Sequence, residues 1–82
     1  MRECDVRTPE DALSYLVDCT LATVTSMAMR KSRPKGEYAR QIRIAEKGIR
    51  WMREMGVDLE GTRAEDIVGT DVAGWAKKYE AN

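Results

Sequence analysis

Leu13, Leu16, Val17, Leu21, Val24, Met27 and Ala28 recur at three- and four-residue steps, a spacing that stacks apolar side chains along one broad face of an α-helix. The Thr8-Pro9-Glu10-Asp11 segment before them marks the start. Thr8 can cap the first turn, Pro9 stands where a missing N–H costs nothing, and the two carboxylates meet the positive end of the helix dipole. The predicted helix covers residues 9–29. Its weak stretch is the run of Thr20, Thr23, Val24 and Thr25, whose β-branched side chains lower helix propensity and keep a strand over 20–25 as the competing reading.

The segment Lys31-Ser32-Arg33-Pro34-Lys35-Gly36 interrupts the chain, because Pro34 disfavours helical geometry at Arg33 and Gly36 adds backbone freedom. A second helix is predicted over 36–55, ending at Gly56 as a left-handed cap. Its apolar positions, among them Ile42, Ile44, Ile49, Trp51, Met52 and Met55, spread over half the helix circumference. That arc is wider than one neighbouring helix covers, so the helix is expected at the centre of a bundle or at a dimer interface. Thr62-Arg63-Ala64-Glu65 reads as a capping box opening a short third helix that ends at Gly69. Residues 71–80 then form a fourth, with Val72, Trp75, Ala76 and Tyr79 on one face. The fold class is all-α: a compact bundle of three or four helices in one domain spanning 1–82, helices one and two forming a long antiparallel hairpin.

The 82 residues sum to zero formal charge, but the charges are segregated. Residues 30–53 carry nine basic side chains against two acidic ones, whereas 1–29 carry two against five and 54–82 three against seven. The simplest expectation is internal, with acidic ends lying near the basic middle. On the second helix Arg40, Arg43, Lys47 and Arg50 follow steps of three, four and three residues, forming a row about 15 Å long. Glu46 and Glu54, each four residues from Arg50, are placed to temper it by local ion pairs. Lys31, Arg33 and Lys35 extend the basic surface into the preceding loop. Such a row suits an acidic protein surface, and arginine forks also match nucleic-acid phosphates.

Catalytic chemistry has little material. The chain contains no histidine, which removes the side chain best suited to proton transfer near neutral pH and excludes Ser-His and Cys-His pairs. Its two cysteines, Cys4 and Cys19, offer neither a zinc quartet nor a disulfide framework. Cys19 is expected to be a buried thiol. The carboxylate pairs Glu10-Asp11, Asp58/Glu60 and Glu65-Asp66 fall at helix starts or in a loop, where capping explains them, and 58–62 lacks calcium-loop spacing. Lys35-Gly36 lacks the glycine-rich lead of a phosphate loop. Residues 62–75 have a superficial helix-turn-helix pattern, but a recognition helix beginning at Asp71 would lead with Asp71, Val72, Ala73 and Gly74, none suited to reading base edges. No catalytic, metal or cofactor residue is therefore assigned, and no cofactor is expected.

The sequence reads as a small non-enzymatic interaction module, an adaptor, inhibitor or accessory subunit docking an acidic protein surface. The partner-binding residues are Lys31, Arg33, Lys35, Arg40, Arg43, Lys47 and Arg50. Ile44, Trp51, Met55, Trp75 and Tyr79 form interface or core. The alternatives are phosphate contact with nucleic acid through the same face, and a structural oligomer, such as a homodimer burying Ile44, Trp51 and Met55. A cytoplasmic location without transmembrane insertion is expected, because no uninterrupted apolar run approaches the length of a span.

Overall fold

A computed structural model describes residues 6–32, 36–67 and 71–80. Three α-helices, α1 (Pro9–Met29), α2 (Glu37–Glu54) and α3 (Val72–Lys77), are joined by loops, with a 3-10 helix at Arg63–Ile67 between α2 and α3. The third predicted helix is thus a 3-10 helix, and the fourth is shorter than 71–80. The predicted stop at Gly69 lies outside the described residues.

The start of α1 follows its local signals. Thr8 Oγ1 accepts from the Asp11 N–H at 3.1 Å, and Asp11 Oδ2 accepts from the Thr8 N–H at 3.2 Å, so two otherwise orphaned donors are satisfied reciprocally. Further along, the hydroxyls of Thr20, Thr23 and Thr25 donate to the carbonyl oxygens of Leu16, Cys19 and Leu21 at 2.8–3.0 Å. Those bonds satisfy the hydroxyls within the helix, the stretch stays helical with Thr20, Leu21 and Val24 buried, and no strand forms over 20–25. The end of α2 is equally local. Gly56 takes φ 71°, its N–H donates to Arg53 O at 3.1 Å and that of Val57 to Met52 O at 2.9 Å. This pair of bonds is a Schellman motif, in which glycine adopts the left-handed conformation without a Cβ penalty.

The core is shared by all four elements. Leu21, Val24, Met52, Ile67 and Val72 are its largest fully buried side chains, each contributing about 1.5–3 kcal/mol through removal from water. α1 and α2 pack as the predicted hairpin. They approach closely where Gly48 faces Val17: a Cβ at Gly48 would lie 2.5 Å from Val17 Cγ2.

α1, not α2, is the central element. It packs against α2, the 3-10 helix and α3 and buries seven residues, whereas α2 buries only Ala45, Gly48, Ile49 and Met52. The physical reason lies in composition. α1 carries hardly any charge between Asp11 and Arg30, while every turn of α2 contains basic residues that demand solvent. By length and composition alone α1, with 21 residues and a mean hydropathy of 1.3 over its most apolar window, could cross a membrane. Core helices share that property, and its buried face here is committed to the bundle.

The 3-10 helix begins differently from expectation. Thr62 does not cap it: its hydroxyl donates to Leu59 O at 2.7 Å, and Glu65 accepts from the Gly61 N–H at 3.1 Å. The N–H of Arg63 is taken by Asp18 Oδ1 of α1 at 3.2 Å, with the Arg63 guanidinium 3.8 Å from the same oxygen. A carboxylate 45 residues away therefore anchors this element. α3 is capped by Asp71, whose side chain accepts from the Gly74 N–H. Beyond α3, the Tyr38 hydroxyl meets Glu80 Oε1 at 3.4 Å and ties the chain's last described turn to α2.

Candidate functional site

The solvent face of α2 carries Arg40, Arg43, Lys47 and Arg50, all exposed. Arg40 reaches Glu37 at 4.0 Å, the outer limit of an ion pair, and Glu37 is also occupied by Gln41 Nε2 at 2.9 Å. Neither Glu46 nor Glu54 comes within ion-pairing distance of Arg50, so the local tempering expected from sequence does not form. Nor do the described acidic residues outside α2 pair with Arg43, Lys47 or Arg50. Asp18 is engaged with Arg63, and Glu80 with Tyr38. Among the described residues no ion pair from outside α2 neutralises the basic middle, although Asp71 of the acidic C-terminal part lines a cleft with Arg50 and Arg53.

Beside this row runs an apolar strip. Ile44, Trp51 and Met55 are 38%, 45% and 47% exposed, and they lie on one flank because α2 advances about 100° per residue. Lys47 links the two features, its Nζ standing 4.9 Å from the centre of the Trp51 ring in a cation–π contact. Lys31 is exposed at the start of the α1–α2 connection. Arg33 and Lys35 lie outside the described residues. The other predicted aromatic pair separates by role: Trp75 is buried, and Tyr79 sits edge-on to it at 5.2 Å with one side open to solvent. Trp75 is therefore core and unavailable to a partner.

Two features were not anticipated. Arg50 and Arg53 join Glu46 and Asp71 around an open cleft of about 250 Å³ between α2 and α3, floored by Ile49, Ile67 and Val72. Only the packing of α3 brings Asp71 there, and no sequence spacing announces it. In addition, Cys19 is exposed as a free thiol, against the expectation of burial. It occupies the outer side of α1, whose inner side is taken by Val17, Leu21 and Val24. Cys4 is outside the described residues. Among the described residues no three His, Cys, Asp or Glu side chains form a group that could hold a metal ion.

Comparison with known proteins finds no family model, no curated sequence and no solved structure that matches the chain. What fold and surface define is a small, compact all-helical domain with a basic row and an apolar strip side by side on α2.

Proposed function

We propose that the chain is a protein-interaction module, an adaptor, inhibitor or accessory subunit, that docks an acidic protein surface through α2. One observation carries this reading: Arg43, Lys47 and Arg50 stack at helical spacing with no carboxylate ion-paired to them among the described residues, directly beside exposed Ile44, Trp51 and Met55. Like charges at these steps destabilise a helix by about 0.2–0.5 kcal/mol per pair, and exposed large apolar side chains gain nothing from water. Both costs are recovered when an acidic partner covers the face. Charge orients the encounter and sets its rate, while the desolvated Trp51 ring supplies much of the contact energy.

The strip beside the row favours protein over nucleic acid, since phosphate contact alone uses no exposed isoleucine or methionine. The test is capture from source extract, with and without nuclease treatment, by the tagged protein and by the combined variant R40E/R43E/K47E/R50E, with folding verified by circular dichroism. Partners held by the wild type and lost by the variant are the expected result. An unchanged set of partners overturns the reading. Capture that vanishes on nuclease treatment, with oligonucleotide affinity falling steeply as salt rises, assigns the row to phosphates instead.

A further inference from the structure

α3 and the 3-10 helix cover one side of the α1–α2 hairpin, and the opposite side is bare among the described residues. On α2, the cleft residues Glu46, Ile49 and Arg53 look toward Ile67 and Val72, and the helical turn places Ile44, Trp51 and Met55 on the far flank. On α1, Asp18 turns toward the 3-10 helix. Ala12, Leu16, Cys19, Thr23 and Ser26 are all exposed on the side away from the core. Their steps are four, three, four and three residues, the repeat of a helix-packing seam. No charge interrupts that seam, whereas the outer face of a solvent-exposed helix is ordinarily polar and charged. Ile44, Trp51 and Met55 fall on the matching seam of α2, at steps of seven and four.

From this we infer that the bare face of the hairpin is a groove for one amphipathic helix of the partner, with carboxylates along one flank only. The inference rests on the protein-docking reading and specifies its occupant. Asymmetric charge identifies the flank. The α2 edge of the groove presents Arg40 and Lys47, seven residues and about 10 Å apart along the helix, while the α1 edge presents uncharged side chains, Leu16 among the small Ala12, Cys19, Thr23 and Ser26. A helix with an apolar seam, Asp or Glu facing α2, and neutral residues facing α1 satisfies both edges. It packs the groove as in a helical bundle, with axes about 8–10 Å from those of α1 and α2.

A second copy of the chain fits less well. Docked α2 on α2 it opposes two basic rows, and docked α2 on α1 it sets the row against a seam without carboxylates. Of the nearby acidic groups on α1, Asp11 caps its own helix and Asp18 holds Arg63.

The experiment uses the full chain with Cys4→Ser, leaving Cys19 as the single thiol on the α1 seam. The probes are two synthetic 21-residue helices with the same leucine–alanine seam, one carrying Glu along a single flank and the other Lys. Affinity is read from the fluorescence anisotropy of a dye on the probe, and occupancy of the α1 side from the alkylation rate of Cys19. The Glu helix is expected to bind at least tenfold more tightly than the Lys helix and to slow Cys19 alkylation at least tenfold at saturation. Leu16→Glu, on the α1 edge, is expected to weaken it tenfold or more. Binding that R40E/R43E/K47E/R50E abolishes but that leaves Cys19 fully reactive overturns the groove while sparing the basic-face reading. Binding of both helices with equal affinity, or of neither, overturns the acidic helix as occupant. A dimeric mass by sedimentation, with Cys19 protected before any probe is added, assigns the groove to a second copy and also overturns the inference.

Discussion

Gly48 shows how much a single missing methyl can decide. In an exposed helix interior, glycine is less favourable than alanine by about 1 kcal/mol, yet here a Cβ would press to 2.5 Å from Val17 Cγ2. The close approach of α1 and α2 requires the smallest residue, and the steric term outweighs propensity because both backbones are held by their own ladders. Gly48→Ala is expected to lower unfolding free energy by about 1–3 kcal/mol, the usual range for overpacking, as measured by urea denaturation. Gly56 is constrained by a different cause. Its φ of 71° penalises any L side chain, so Gly56→Ala is expected to cost about 1–2 kcal/mol, although a methyl there would meet open space. A gain in stability from either substitution contradicts the corresponding account.

At the level of elements, the same kind of capping signal succeeded once and failed once. Thr8 and Asp11 form their box at the head of a 21-residue α1, so satisfying the first-turn donors has a long helix to stabilise. Thr62 precedes, and Glu65 lies within, a 3-10 helix of only five residues. That segment takes its position from tertiary contact, and Asp18 reaches across from α1 to supply the acceptor. Thr8→Ala is expected to destabilise the fold by about 1 kcal/mol. Asp18→Ala is expected to act locally, raising hydrogen exchange at Arg63 and through Arg63–Ile67 well above the change in α1. Thr62→Ala should leave the Arg63 amide protected, because its acceptor is not Thr62. Equal effects of the Asp18 and Thr62 substitutions on that amide would show the anchoring to be misassigned.

For the whole molecule, the two tryptophans separate stability from recognition. Trp75 is 2% exposed and Trp51 is 45% exposed, so acrylamide should quench Trp51 readily in Trp75→Phe and hardly touch Trp75 in Trp51→Phe. Trp75→Ala removes core volume worth about 3–5 kcal/mol, comparable with the whole stability of a domain this small at about 0.05–0.15 kcal/mol per residue. It is expected to unfold the protein. Trp51→Ala is expected to change stability by less than about 1 kcal/mol, as for surface sites, while removing partner binding. A large loss of stability on Trp51→Ala would place that ring in the core instead.

Much of this fold was legible in the residues themselves. The extents of α1 and α2, the opening at Thr8 and the cap at Gly56 depend on interactions between positions three to five apart, which a linear pattern records directly, and the short break between the two helices announced the hairpin. The basic row was legible for the same reason: Arg40, Arg43, Lys47 and Arg50 share a face by helical spacing alone. Tertiary packing decided which side of a doubly apolar α2 is buried. Ala45, Ile49 and Met52 enter the core, while Ile44, Trp51 and Met55 stay in water, although both sets have helical spacing. Packing likewise turned Cys19 outward, sent Trp75 into the core, set Asp71 beside Arg50 and Arg53, and gave Asp18 the task of anchoring Arg63. Each of these depends on which faces meet after the chain has turned back on itself. A local pattern encodes that a residue can be buried, whereas only the geometry of the packed helices determines what buries it.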